Sequence, residues 1–291
     1  MFYGSIPALV TPFSGNCVDE DSLLAFVDWQ IEEGSSALVP CGTTGEVATL
    51  TSEEQHAIFR LVVDHVKGRV PVIAGCGSNS TTTCLDHVKA AKDAGADGAL
   101  VVVPYYNRPS QAGLVAHFLA VADASELPII VYNVPGRTVA DISVESLAEI
   151  SRHPRIVGVK DATGNLARVT AQRLTCGEDF CQLSGNDDTA LGFNAMGGVG
   201  CISVSANVAP KLCADFQSAT LEGRWDDALK LQDRLYPLHA ALFSDASPGP
   251  TKYALTRVRP GYPEEMRLPL TPASDGSKRA VDKALEHAGL I

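Results

Sequence analysis

The chain has 291 residues, 45% of them hydrophobic and 20% charged, a globular composition with ample apolar material for a large core that excludes extended disorder. Its 34 acidic residues outweigh 23 basic ones, leaving a formal net charge of −11. That field repels phosphate backbones and acidic lipid, and no dense basic run offsets it, so nucleic acid and membrane surfaces are excluded as partners.

The chain opens with MFYGSIPALVTPF, which has neither the basic leader nor the long apolar stretch of a signal peptide. No run reaches the roughly 18 apolar residues of a membrane span, so a cytoplasmic protein is expected. The first strand-like run covers residues 6–10 and leads to the amphipathic stretch SLLAFVDWQIEEG. The second covers 37–39 and leads through GTTGE to SEEQHAIFRLVVDHVKG. Thr51 stands where it can cap that helix, with Glu54 completing a capping box, and the acids of the first turn are read as solvated. Further runs follow at 70–74, 99–103, 129–133, 156–160, 182–184 and 201–204, each succeeded by turn residues and then by helical periodicity. These runs are apolar at both alternations, as expected of parallel strands covered on both faces.

Eight strand-then-helix units describe a (β/α)₈ TIM barrel, an α/β fold. A doubly wound sheet would carry a glycine fingerprint after its first strand, where this chain has VTPFSGN. Beyond the eighth run the pattern is helical, clearest in WDDALKLQDRLYPLHAALF. The expected organisation is therefore a barrel over residues 1–222 and a C-terminal helical extension over 223–291. The eight cysteines, scattered without a CxxC pair, are expected to be reduced and buried packing residues.

In a barrel the chemistry belongs at the carboxyl ends of the strands. Those ends carry GTTGE, PYYNRP, YNVPGR, KDATGN, SGNDD and SAN. All seven histidines fall on helical segments or their ends, which points away from an imidazole-bound metal, and no metal site is expected. Lys160 closes an apolar strand. Desolvation at such a place disfavours the ammonium form and frees the amine to attack a carbonyl carbon. The alternative is a structural pair with Asp161, although alternation along a strand sends neighbours to opposite faces. Tyr132 ends the fifth run and could pass protons in the same pocket, or be a core tyrosine with a satisfied hydroxyl. Tyr105 and Tyr106 form an aromatic pair suited to a subunit contact. GTTGE offers hydroxyls and backbone N–H groups for a carboxylate, or is only a tight turn. Arg137 offers a planar fork for a second carboxylate, or a loop salt bridge. AMGGVG fits close helix-to-strand packing at least as well as a phosphate cradle.

Taken together, GSIPALVTPF, GTTGE, PYYNRPSQ, LPIIVYNVPGRT, VGVKDATGNLARV, LSGNDDTAL, GGVGCISVSANV and RLPLTP resemble the dihydrodipicolinate synthase family of pyruvate-dependent class I aldolases, over nearly the whole chain. GTTGE and the lysine are shared with relatives such as N-acetylneuraminate lyase, whereas the arginine of YNVPGRT resembles the synthase pattern. The resemblance implies a Schiff base between Lys160 and pyruvate, with Thr43 and Thr44 holding the pyruvate carboxylate. It implies a proton relay of Thr43, Tyr132 and Tyr106, the last supplied by a neighbouring subunit of a homotetramer. Arg137 would meet the carboxylate of L-aspartate 4-semialdehyde, and Gly185 and Ile202 would line the site through their backbone. No metal or organic cofactor is implied. A sibling aldolase acting on a sugar-derived keto acid and a non-catalytic barrel remain the alternatives. Two departures stand out. At an effector site where lysine-inhibited members carry histidine and glutamate, this chain has Ser52, Gln55 and Thr83, keeping Asn79 and Tyr105, so feedback control by lysine is in doubt. Asn186 stands where a carboxylate is common in the family.

Overall fold

The structure, a computed structural model, describes residues 2–291. Its strands in chain order are β1 (Gly4–Pro7), a hairpin of β2 (Phe13–Ser14) and β3 (Cys17–Val18), then β4 (Ile73–Gly75), β5 (Gly98–Val102), β6 (Ile129–Asn133), β7 (Ile156–Asp161), β8 (Cys181–Ser184) and β9 (Gly200–Ser203). Seven of them form one sheet in the order β1-β9-β8-β7-β6-β5-β4, with every pairing parallel. The two edges are joined through residues 37–40. Val39 N donates to Pro7 O at 3.0 Å, Leu38 N to Pro71 O at 2.9 Å and Gly75 N to Pro40 O at 3.0 Å, which closes the ring as an eight-stave barrel.

That second stave departs from the expected strand. It makes only the isolated bridges Ala8↔Val39 and Leu38↔Val72. Pro7, Pro40 and Pro71 each lack an N–H, so the ladder is interrupted on both sides. Pro71 also accounts for the late start of β4 at Ile73 rather than at residue 70. The hairpin β2–β3 has no counterpart in the sequence pattern, because each of its strands is two residues long.

Helices follow the staves and shield the barrel on its outside, from Glu20–Glu32 through Pro210–Leu221. Three further helices, Trp225–Ala241, Gly249–Val258 and Asp275–Ala288, make up the C-terminal extension. Apolar side chains fall into two clusters. Ile6, Val39, Ile73, Leu100, Ile130, Leu183 and Ile202 fill the barrel lumen. A larger cluster lies between sheet and helices and takes in Leu235, Leu238, Val281 and Leu285 of the extension. Two layers are what a parallel sheet buried on both faces requires.

The capping box at Thr51 is present: Glu54 N donates to Thr51 Oγ1 at 3.2 Å, and Thr51 N donates to the Glu54 carboxylate at 2.9 Å. Glu54 is not simply solvated, since the Arg267 guanidinium grips both its oxygens at 2.7 and 2.6 Å. That grip holds the Glu54 carboxyl below its ordinary pKa. Six cysteines are buried as expected, but Cys17 is exposed and Cys176 half-buried. In AMGGVG, a Cβ on Gly198 would stand 2.2 Å from the ring of Phe193 on the preceding helix, and one on Gly200 2.5 Å from the backbone N and O of Gly4 on the neighbouring strand, so close packing is what these glycines serve.

Gly75 is the tightest point near the carboxyl ends of the strands. A Cβ there would stand 2.1 Å from Cys41 O, and a main-chain atom cannot swing aside as a side chain can. Gly75→Ala is expected to destabilise the fold by about 3 kcal/mol, read as a lower urea midpoint. An unchanged midpoint would contradict this account of the barrel closure.

Candidate active site

Lys160 sits near the carboxyl end of β7, in register with Tyr132 on β6 and Leu183 on β8. Both chemically capable side chains enter the lumen. Lys160 is 6% exposed and Tyr132 7%, and Lys160 Nζ lies 4.1 Å from the Tyr132 ring centroid. One residue further on, Asp161 faces the opposite way. Its carboxylate accepts from Arg168 Nε at 3.0 Å, Gln172 Nε2 at 2.8 Å and the Thr163 hydroxyl at 2.6 Å. Alternation along the strand thus separates the lysine from the adjacent acid. Among the described residues no carboxylate lies within 4.0 Å of Lys160 Nζ. Gly185, just past the end of β8, leaves room for the lysine chain, since a Cβ there would stand 3.2 Å from Lys160 Cε and 2.7 Å from Ala162 Cβ. Ile202 is a fully buried wall residue on β9, opposite Ile6.

GTTGE turns sharply above the second stave. Gly45 N donates to Gly42 O at 3.0 Å and Glu46 N to Thr43 O at 3.1 Å, while the Thr11 hydroxyl donates to Gly45 O at 2.7 Å. Thr44 is buried and Thr43 exposed. Thr43 and Arg137 share the wall of a cavity of about 480 Å³ with Val134, Thr138, Ser52, Gln55, Thr83 and Tyr105. Thr43 and Arg137 thus meet four of the five candidate effector residues, Ser52, Gln55, Thr83 and Tyr105, in one space within a single chain. Lys160, Tyr132, Gly185 and Ile202 do not line it and lie in or beside the lumen, and the buried Thr44 does not line it either. Arg137 is exposed on the short helix Pro135–Thr138 and has no carboxylate within 4.0 Å among the described residues, so it is not in a loop salt bridge.

Tyr106 lines neither space. It is 90% exposed, with φ at +70°. A bulky residue held in the left-handed region with its ring in solvent is strained and unburied, which is consistent with insertion into another copy of the chain. Asn79 lies outside the cavity wall, and its carbonyl accepts from Asn107 Nδ2 at 2.8 Å. Gln55 is committed structurally, its amide donating to Gly75 O at 2.7 Å.

Several residues were not singled out by sequence. His87 joins the cavity wall and is hydrogen-bonded to His56 at 3.0 Å, with burial holding both imidazoles below their ordinary pKa. Asp187 of SGNDD accepts from the Ser203 hydroxyl at 2.5 Å and from Val204 N and Ser205 N at 3.0 and 3.1 Å, fixing the end of β9. Asn186, by contrast, was noted in the sequence as a departure: oriented to satisfy both neighbours, its amide donates to Gly185 O and accepts from Gly164 N at 3.2 Å each. It thereby ties the loop after β8 to the loop after β7, and a carboxylate there could accept but not donate. Glu46 pairs with Lys252 of the extension at 2.5 Å. GTTGE and RLPLTP were conspicuous in the sequence, yet nothing local paired an acid of one with the segment before the other.

Comparison with known proteins finds relatives over the whole chain. The model of the dihydrodipicolinate synthetase family matches residues 1–288. A 4-hydroxy-tetrahydrodipicolinate synthase of Rhizorhabdus wittichii is 65% identical over 290 residues, and one of Zymomonas mobilis is 65% identical over 291, each match covering 100% of both chains. Among solved structures, the chloride-inhibited dihydrodipicolinate synthase of Acinetobacter baumannii, complexed with pyruvate, superposes with a TM-score of 0.97 at 41% identity over 100% of both chains. With its lysine and tyrosine side by side in the lumen and its threonine turn and arginine on one cavity, the chain belongs to the dihydrodipicolinate synthase family.

Proposed function

We propose that the chain catalyses the condensation of pyruvate with L-aspartate 4-semialdehyde to 4-hydroxy-tetrahydrodipicolinate, the step that feeds diaminopimelate and lysine synthesis. The observation that carries this is the pairing of Lys160 and Tyr132 on adjacent strands, buried, with no carboxylate within 4.0 Å of the amine among the described residues. Lys160 Nζ attacks the pyruvate ketone, and loss of water leaves an iminium. Thr43 and Thr44 hold the pyruvate carboxylate through hydroxyl and backbone donors. The iminium acidifies the adjoining methyl group. Tyr132, linked to Thr43 and to a neighbouring subunit's Tyr106, takes that proton as the enamine forms and returns one to the alkoxide created when the enamine carbon attacks the aldehyde. The substrate's own amine then adds to the iminium carbon, closes the ring and expels Lys160. The lysine–pyruvate bond supplies the electron sink, so the reaction needs neither metal nor organic cofactor.

Arg137 meets the semialdehyde carboxylate at the cavity mouth, where its guanidinium is unclaimed by any acid of the chain among the described residues. Tyr106 supports an assembly of at least two chains, and a homotetramer made of two such dimers completes the reading. The eight free thiols suit a reducing, cytoplasmic setting, and no helix among the described residues is long and apolar enough to cross a membrane.

Three outcomes are expected. Lys160→Ala should lower turnover of pyruvate and aspartate semialdehyde by about a thousandfold or more, whereas near-parental rates would exclude the lysine as nucleophile. Arg137→Ala should raise the KM for aspartate semialdehyde at least about tenfold, the scale of a lost charged contact, with little change for pyruvate. Efficient cleavage of N-acetylneuraminate or a keto-deoxy sugar acid by the parent would instead favour a sibling aldolase. Lysine should inhibit weakly or not at all, because Ser52, Gln55 and Thr83 offer its charged groups no ionic partner. A low-micromolar inhibition constant would contradict that assignment.

A further inference from the structure

Three residues beyond Thr43, the backbone of Glu46 takes φ at +56°, a left-handed conformation that costs about 1 kcal/mol in a residue with a Cβ. Its carboxylate reaches Lys252 Nζ at 2.5 Å, with both side chains at 0% exposure. Lys252 stands on the helix Gly249–Val258. Its ammonium also donates to Glu265 O at 2.7 Å and lies 4.4 Å from the centroid of the Phe13 ring. Burial lowers the Lys252 pKa from the ordinary lysine value, and the Glu46 carboxylate opposes that shift. Arg267 adds a second tie, its backbone N donating to the Glu46 carboxylate at 3.3 Å and its guanidinium to Thr49 O at 3.1 Å, on the far side of the same turn.

A buried ion pair is weak evidence for stability, because well-packed apolar residues of similar volume commonly do as well or better. What such a pair supplies is a single geometry, since two charges removed from water tolerate little misplacement. This pair acts on a turn whose own backbone is strained and whose Glu46 N is hydrogen-bonded to Thr43 O at 3.1 Å. No substrate-binding residue of the reading above comes from the C-terminal extension, yet the extension holds the turn on which the keto-acid carboxylate would rest.

We infer that the Glu46–Lys252 pair positions Thr43 and Thr44 for the keto-acid carboxylate, which makes the C-terminal extension part of the pyruvate-binding apparatus. This rests on the proposed role of the two threonines. Glu46 and Lys252 touch no substrate. Their effect is on where the hydroxyl and N–H donors stand, and a displacement of an ångström there is enough to weaken binding by an order of magnitude or more.

The test is the double variant Glu46→Gln/Lys252→Met, which removes both charges without stranding either. The half-saturating pyruvate concentration is measured twice, as KM in turnover and in borohydride trapping of the Schiff base. Both should rise at least about tenfold, while the KM for aspartate semialdehyde stays within about twofold and kcat falls less than the pyruvate KM rises. Should the double variant not fold, Lys252→Arg keeps the charge but displaces the carboxylate, and should raise both pyruvate values at least about threefold. Pyruvate values within twofold of the parent in a folded variant, or a loss confined to kcat or to thermal stability, would overturn the inference. Absence of trapping in the parent enzyme would instead overturn the active-site reading beneath it.

Discussion

Side-chain alternation along β7 is the constraint on which the site depends. Six residues of extended chain place Lys160 in the lumen and Asp161 against the outer helices, where Arg168 and Gln172 occupy its carboxylate. A slip of one residue would exchange the two, putting an acid among the lumen residues and the amine against Arg168. Register is fixed on both sides, by Tyr132 and Asn133 on β6 and by Leu183 and Ser184 on β8. The chemistry is therefore set by the same hydrogen bonds that hold the sheet. The lysine needs no special loop to present it.

Around that fixed pair the loops are tied to one another rather than left to solvent. Asp187 gathers the end of β9, Asn186 joins the loops after β7 and β8, and the Thr43 turn is anchored to the extension through Glu46 and Lys252. Arg267 links the strained end of that turn to the capped start of the next helix through Glu54. Loops at the top of a barrel are free to vary in sequence, but a loop that must hold a donor within a fraction of an ångström needs support from several directions. Arg137 and Tyr106 are the exceptions. Both are exposed in the single chain, as groups that meet a second substrate or a second subunit would be.

Much of this was legible in the sequence wherever the signal was local. The run 129–133 has the ends expected from the pattern, because it is apolar through Tyr132 and bounded by proline and a short turn. Lys160 was conspicuous because a charge closing an apolar strand contradicts its surroundings. The second stave was harder. Three prolines from different parts of the chain reduce it to bridges, and proline's effect on a ladder depends on a partner that the sequence does not name. Long-range polar contacts were invisible for the same reason. Arg267 and Glu54 are 213 positions apart, and Glu54 alone reads as an ordinary first-turn acid. Nor could separate motifs reveal that Thr43 and Arg137 share one cavity with Ser52, Gln55 and Thr83, since a motif carries no distance to another.

The central claim is that one amine, Lys160, forms a covalent bond with a keto acid inside the barrel. It is tested most directly by incubating the full chain with pyruvate, reducing with borohydride, digesting, and locating the added mass by peptide fragmentation. The account predicts a single stoichiometric label on Lys160. Labelling spread over exposed lysines such as Lys89 and Lys230, with Lys160 unmodified, would contradict it.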